Sequence, residues 1–320
     1  MSNKNRVTIY GCGGTGISLL KRLVRTDLSD FAEVYEGYVD GSRSNANDAT
    51  IDKDHWYFLE GVDGAGKIRK SNYNVTDRSI SDILLRIKPS ELNIIIFSGS
   101  GGSGSVIGPK IAEALFAQGK AVLFFVVGST ESGKATENTL KTIYSLNDIG
   151  KKAGVASVMC FDDNENNSRN EEVNQVMLAS LRATLDLYSG QHEGLDSADV
   201  LTWARPVIGA EIPAQLTLLD ITNSREDAED IEAPISVAEL YGDDKPLNGT
   251  IKADYNTYGQ RNTRGKDSLY YVIYTNGLDK LLAGLNEKLS EFESRRASRE
   301  RMSKSTIPAS SDSEDDGMHL

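Results

Sequence analysis

Short apolar runs alternate with glycine-rich turns and longer amphipathic stretches through the first half of the chain. Residues 7–10 read as a strand, GCGGTG (11–16) as a turn, and the segment carrying Leu19, Leu20, Leu23 and Val24 as a helix with one apolar face. The unit then returns. Residues 93–97 are a β-branched run, SGSGGSGS (98–105) is a turn, and Ile107, Ile111, Ala114 and Leu115 recur at helical spacing before a second apolar run at 121–127. Apolar strands without polar alternation, each followed by a helix, predict a parallel sheet covered on both faces, an α/β fold.

Beyond this, Val173, Val176, Met177, Leu181 and Leu185 place a long helix over 170–188, read as a connector. From residue 205 the texture turns to strand-like stretches, including 215–221 and 269–274, which predicts a mixed α+β second lobe. Leu278, Leu281, Leu282, Leu285, Leu289 and Phe292 mark a C-terminal amphipathic helix. Its far end carries Arg295, Arg296, Arg299, Arg301 and Lys304, Pro308 closes it, and an acidic tail, SSDSEDDGMHL, follows. The expected organisation is a first domain at 1–169, a central helix at 170–190, a second domain at 191–276, a C-terminal helix at 277–304 and a tail at 305–320.

Length and charge narrow the function. A chain of 320 residues exceeds one small domain. Its net charge of −12 argues against a nucleic-acid-binding surface as the main business of the chain. Two cysteines, Cys12 and Cys160, cannot support a disulfide framework, and Cys12 reads as a small buried thiol. The N-terminus enters a strand at once, with no signal-peptide pattern, and no apolar run is long enough to span a bilayer, so a soluble cytoplasmic protein is expected.

The chemistry resides in the loops. In the second glycine-rich turn, Gly99, Gly101, Gly102 and Gly104 alternate with Ser98, Ser100, Ser103 and Ser105 between a strand and a helix start. Backbone N–H groups there can face phosphate oxygens, and the helix dipole favours the negative charge. No Lys-Ser/Thr pair closes the loop, so it is not a P-loop. On composition alone it also suits a flexible Ser/Gly linker. Gly11, Gly13, Gly14 and Gly16 fit the dinucleotide pattern G-x-G-x-x-G, and Asp40 follows the next apolar stretch; alone, this equally suits an NAD-dependent oxidoreductase.

Taken together and in order, these loops resemble those of the tubulin and FtsZ superfamily. Residues 100–106, SGGSGSV, resemble the signature [SAG]-G-G-T-G-[SA]-G, with Ser103 for the Thr and Val106 for the last Gly; Ser103 keeps the hydroxyl, and Val106 suggests that the helix begins there. GCGGTG resembles the first phosphate turn, with Gly11, Cys12, Gly13, Gly14 and Thr15 as nucleotide contacts. YVDGSRSNA, with Asp40, and GVDGAGK, with Gly64, Ala65 and Gly66, resemble the next two loops. STESGK resembles the loop in which an acidic residue, here Glu131, meets the ribose. By the same resemblance Asn170 and Asn174, one helical turn apart, read guanine. Outside that context the polar run before them is a solvated helix start.

GLDSADV (194–200) resembles the segment N-x-D-F-A-D-V that reaches the nucleotide of a neighbouring subunit, with Gly194 in place of Asn. The implied catalytic pair is Asp196 and Asp199, two carboxylates at a helix start that can polarise a water at a γ-phosphate. Without the resemblance, such a pair reads as helix capping. The helix, basic end and acidic tail resemble those of phage-encoded tubulins of the PhuZ type, in which the tail docks on the neighbouring subunit; a solvating tail is the alternative.

The resemblance therefore implies a GTPase with a Rossmann-like nucleotide-binding domain, GTP/GDP and Mg²⁺ as cofactors, and head-to-tail filaments that position or move phage DNA or a replication compartment in the host bacterial cytoplasm. The metal would be held through nucleotide oxygens and waters, with no protein ligand assigned. The implied partner is the protein itself, together with a cargo or adaptor, without direct nucleic-acid or membrane contact. A plasmid-segregating tubulin relative is the nearest alternative, and the NAD-dependent oxidoreductase the alternative of another class.

Overall fold

Strand β1 (Arg6–Cys12) lies inside the parallel region, paired with β2 (Glu33–Asp40) on one side and β4 (Leu92–Ser98) on the other. The computed structural model describes residues 4–46, 51–164, 170–242, 251–263, 265 and 267–306. In chain order the remaining strands are β3 (Trp56–Phe58), β5 (Ala121–Ser129), β6 (Ser157–Asn164), β7 (Leu216–Thr222), β8 (Pro234–Tyr241), β9 (Tyr255–Gln260) and β10 (Leu269–Tyr274). The helices are α1 (Gly13–Val24), α2 (Arg43–Ala46), α3 (Lys70–Arg86), α4 (Gly104–Ala117), α5 (Gly133–Ala153), α6 (Asn170–Leu187), α7 (Ser197–Trp203), α8 (Pro206–Gly209), α9 (Arg225–Glu229) and α10 (Leu278–Thr306).

All ten strands join one sheet in the order β3-β2-β1-β4-β5-β6-β7-β10-β8-β9. The first seven positions are parallel, whereas β10 runs antiparallel to both β7 and β8. The second lobe is thus an extension of the first sheet, continuous through the pairing of Ser157, Val158 and Met159 with Leu216, Thr217 and Leu218.

The apolar runs are continuous because the central strands are buried on both faces. Ile94, Ile96, Leu123 and Phe125 face a layer formed by α1 and α6. Their neighbours Ile95, Phe97, Phe124 and Val126 face the opposite layer, formed by α3, α4 and α5. Helix α10 docks on that second layer only through its first turns, where Leu285 is buried beside Leu278, Leu281, Leu282 and Leu289. Residues 293–302 are exposed all round, so the basic end stands away from the body.

The chain moves outward in both directions from the β1–β4 pair. In doubly wound sheets this reversal opens a crevice at the carboxyl ends of the strands, where ligands bind.

Candidate functional site

A cavity of about 570 Å³ occupies that crevice, within the usual range for a small-molecule site. Its wall is built from Cys12 at the end of β1 with Gly13, Gly14 and Thr15 after it, Asp40 at the end of β2, Ala65 and Gly66, and Ser100 through Gly104 after β4. Glu131 after β5 and Asn170 and Asn174 on α6 complete it.

The two glycine-rich turns meet back to back. A Cβ on Gly13 would lie 2.8 Å from the Gly104 nitrogen, and one on Gly104 would lie 2.6 Å from the Cys12 carbonyl oxygen. Gly13 also takes a positive φ of 69°, which side chains rarely adopt. The glycines therefore set the separation of the two turns, and with it the distance between the starts of α1 and α4.

Those two helix starts share a further property. Neither Cys12 nor Ser103 caps its helix with a side chain, and neither first turn contains an acidic residue. In α5, α7 and α9, by contrast, Ser132, Asp196 and Ser224 accept backbone N–H groups as caps. Uncapped N–H groups and positive dipole ends directed at one crevice form an anion site. Among the described lining residues the one cation is Lys67, already paired with Glu131. Negative charge would be met mainly by backbone.

Buried side chains tie the second loop from behind, carbonyl by carbonyl. The oxygen of Gly99 lies 2.8 Å from Thr142 Oγ1, and that of Ser100 accepts from Asn138 Nδ2 at 3.0 Å. Gly101 accepts from Ser105 Oγ at 2.5 Å and Gly102 from Asn72 Nδ2 at 3.3 Å. With four successive carbonyls anchored away from the cavity, the peptide N–H edges are left to serve it.

Three of the nucleotide contacts implied by the sequence lie outside the cavity lining. Gly11 is covered by the Gly16 carbonyl, Ser105 turns its hydroxyl to Gly101, and Gly64 stands in open space with φ at 74°. The α4 helix begins at Gly104, two residues before the Val106 start suggested by the signature, because Ser103 O already accepts from Val106 N and Ile107 N. Conversely, Ser18, Ser42, Asn45, Lys67, Ser98, Val127, Gly128, Ser129, Asn164 and Val173 line the cavity without having been singled out as contacts. For most of them the only available signal is position at the carboxyl end of a parallel strand.

Asp40 is 2% exposed, and its two oxygens accept from Gly41 N at 2.8 Å and Asn45 Nδ2 at 2.7 Å. Burial, and then the Asp40 carboxylate, push the Cys12 thiol well above its ordinary range, so it stays protonated. Asn170 Oδ1 accepts from Asn164 Nδ2, joining the start of α6 to the end of β6.

Asp196 and Asp199 are not in the lining. Asp196 precedes α7, where its Oδ1 accepts from Ala198 N at 2.8 Å and Asp199 N at 3.0 Å. The capping role weighed from the sequence is therefore present. Gly194 has a φ of 80°, a left-handed conformation that Asn also tolerates.

The loop leading to Asp196 is clamped to α6 and β9. Asp186, 1% exposed at its side chain, accepts from Arg261 Nη2 at 2.7 Å. His192 Nε2 lies 2.7 Å from the Asp186 carbonyl oxygen, and Nδ1 accepts from Asn262 N at 3.3 Å, an arrangement that requires the proton on Nε2. Glu193 and Gln260 close a bridge between them. Helix α6 thus has Asn170 and Asn174 at the cavity and Asp186 at the far end. Its 18 residues span about 27 Å.

Among the described residues no cluster of His, Cys, Asp and Glu could hold a metal ion, and no helix is long and apolar enough to cross a membrane. Comparison with known proteins adds relatives to this geometry. Residues 195–278 match the family described as the C-terminal domain of phage tubulin-like proteins. A phage tubulin-like protein of Pseudomonas phage phiKZ is 26% identical over 327 residues, covering 96% of each chain.

Among solved structures, the phage tubulin PhuZ with GDP matches at a TM-score of 0.83 and 25% identity, over 91% of this chain and 92% of that one. A protofilament of TubZ from bacteriophage PhiKZ also matches at a TM-score of 0.83, with 24% identity, over 97% of this chain and 95% of that one. The match along nearly the whole chain, the matched second lobe and the glycine turns at the β1–β4 crevice agree, and the chain is similar from end to end to phage tubulin-like proteins.

Proposed function

We propose that the chain binds GTP in the crevice cavity and hydrolyses it only on head-to-tail assembly, with Asp196 and Asp199 of one subunit completing the site of the next. The observation that carries this reading is the separation along α6: the cavity lies at one end of the helix, while the loop that leads into α7 and its two carboxylates is clamped at the other. A carboxylate that cannot reach its own cavity can act on a neighbour's if subunits stack along that axis. The PhuZ relative solved with GDP and the TubZ relative solved as a protofilament support the ligand class and the assembly mode.

In this reading the uncapped starts of α1 and α4 bind the phosphates, Glu131 meets the ribose, and Asn170 and Asn174 read guanine. The neighbour's Asp196 and Asp199 orient the attacking water and accept its proton. Mg²⁺ supplies neutralisation of phosphate charge; with both Asp40 oxygens engaged by Gly41 and Asn45, it would sit on phosphate oxygens and waters. The filament would position or move phage DNA or a replication compartment in the host cytoplasm. The acidic tail, which lies outside the described residues, would dock on the neighbouring subunit.

Light scattering after addition of GTP and Mg²⁺ tests the assembly; a flat trace across a range of protein concentrations sinks it. The variant Asp196→Ala should bind GTP as the parent does and lose at least roughly 100-fold in turnover, leaving stable polymer.

A further inference from the structure

Arg69, immediately before α3, is 7% exposed. Its Nη1 donates to Thr142 Oγ1 at 2.9 Å and to the Asn138 carbonyl oxygen at 3.3 Å. Nη2 donates to Tyr73 Oη at 3.2 Å and Ser145 Oγ at 3.1 Å, and Nε has no partner. Every one of these partners is neutral, and no carboxylate among the described residues comes within ion-pair distance. Arg261, by contrast, faces Asp186 at 2.7 Å. A buried cation with no countercharge is costly, and proteins retain one where something else supplies the charge.

The hydrogen bonds point to where that charge would be. The Thr142 hydroxyl that accepts from Arg69 lies 2.8 Å from the Gly99 carbonyl oxygen. The Asn138 side chain, whose backbone carbonyl accepts from Arg69, donates to Ser100 O at 3.0 Å and Lys67 O at 2.9 Å. The guanidinium therefore stands behind two loops of the cavity wall, one hydrogen-bonded step from each. The polarity is also favourable. Arg69 is directed at the side chains that anchor the loop carbonyls, so its field adds to that of the α4 dipole on the cavity side.

We propose that Arg69 is a positioning residue whose buried charge is balanced by the phosphates of the bound nucleotide, making affinity rise with the number of phosphates. This rests on the nucleotide reading above. The guanidinium does not touch the ligand; it acts through Thr142 and Asn138, holding the loop and biasing the potential of the crevice toward polyphosphate over nucleoside.

The test compares Arg69→Gln, which removes the charge and keeps hydrogen-bonding capacity, with Arg69→Lys, which keeps the charge. Equilibrium binding to the full chain is measured for guanosine, GMP and GDP. For Arg69→Gln, GDP affinity should fall roughly ten-fold, GMP affinity by less, and guanosine affinity by under about two-fold, while Arg69→Lys stays within about three-fold of the parent for all three. Equal losses on all three ligands, or loss with Lys as large as with Gln, would make Arg69 a structural residue and overturn the proposal.

If Arg69→Gln does not fold, Thr142→Val, which severs one of the two links with the charge retained, should keep the parent's graded preference for GDP over GMP over guanosine within about three-fold; loss of that grading overturns the proposal. If the parent chain binds no GDP, the nucleotide reading fails by itself. Inorganic pyrophosphate then decides the Arg69 proposal: it should raise the thermal midpoint of the parent and leave that of Arg69→Gln unchanged, and an equal shift in both overturns it.

Discussion

At the scale of single residues the site is an exercise in close approach. The separation of the two glycine-rich turns is limited by the missing Cβ atoms of Gly13 and Gly104, each of which would otherwise lie within 3 Å of the opposite turn's backbone. Gly104→Ala is expected to push the turns apart and lower the thermal midpoint, with a cost of about 1–3 kcal/mol from overpacking. It should also weaken nucleotide binding, which calorimetry can check.

The thiols offer a second residue-scale prediction. Burial, and then Asp220, push Cys160 up to about 12, and Cys12 moves in the same direction. A thiol that holds its proton more tightly in the folded chain than in the unfolded one favours folding less as pH rises through the ordinary thiol range toward that value. Thermal midpoints should therefore fall above about pH 8.5, less steeply in Cys160→Ala. Alkylation of both cysteines at pH 8 should be slow until the chain unfolds.

At the scale of elements, the helices divide by what occupies their N-termini. Ser132→Ala removes the cap of α5 and should cost about 1 kcal/mol in chemical denaturation, whereas α1 and α4 have no such cap to remove. The α6 clamp is the other element-scale device. Arg261→Ala would strand the buried Asp186 carboxylate, destabilising the fold by about 3 kcal/mol, and would loosen the loop bearing Asp196. In the proposed function, turnover should then fall more than nucleotide affinity, a split that steady-state kinetics beside equilibrium binding would reveal.

At the scale of the whole molecule, the proposed function has α6 make one chain into half of each of two sites. The exposed basic end of α10 carries Arg295, Arg296, Arg299 and Arg301 away from the body, available to an acidic segment of another copy. Deleting residues 310–320 should raise the critical concentration for assembly, with the difference shrinking as salt is added. Pelleting assays across protein and salt concentration would measure both; an unchanged critical concentration would assign the tail to solvation.

Much of this was legible in the chain itself. Apolar runs buried on both faces and glycine turns after β1 and β4 announce a parallel sheet, because strand burial and turn sterics are local in sequence. The order of the loops announced most of the cavity wall, from Cys12 through Asn174. What remained hidden depends on residues far apart in the chain. The anchors Asn72, Asn138 and Thr142 read as ordinary polar positions of amphipathic helices until packing turns them inward against the loop carbonyls. The Asp186–His192–Arg261 clamp joins positions up to 75 residues apart, and no periodicity records such a pairing.

The sequence determined the elements, the phosphate-type turns and the candidate acidic pair, since each is encoded within a few consecutive residues. Only the tertiary structure decided that the pair lies at the opposite end of α6 from the cavity, that two helix starts are left uncapped toward one crevice, and that a buried arginine stands behind the loop without a countercharge. Distances and burial of that kind arise from how elements pack, and neighbouring letters in a chain do not specify them.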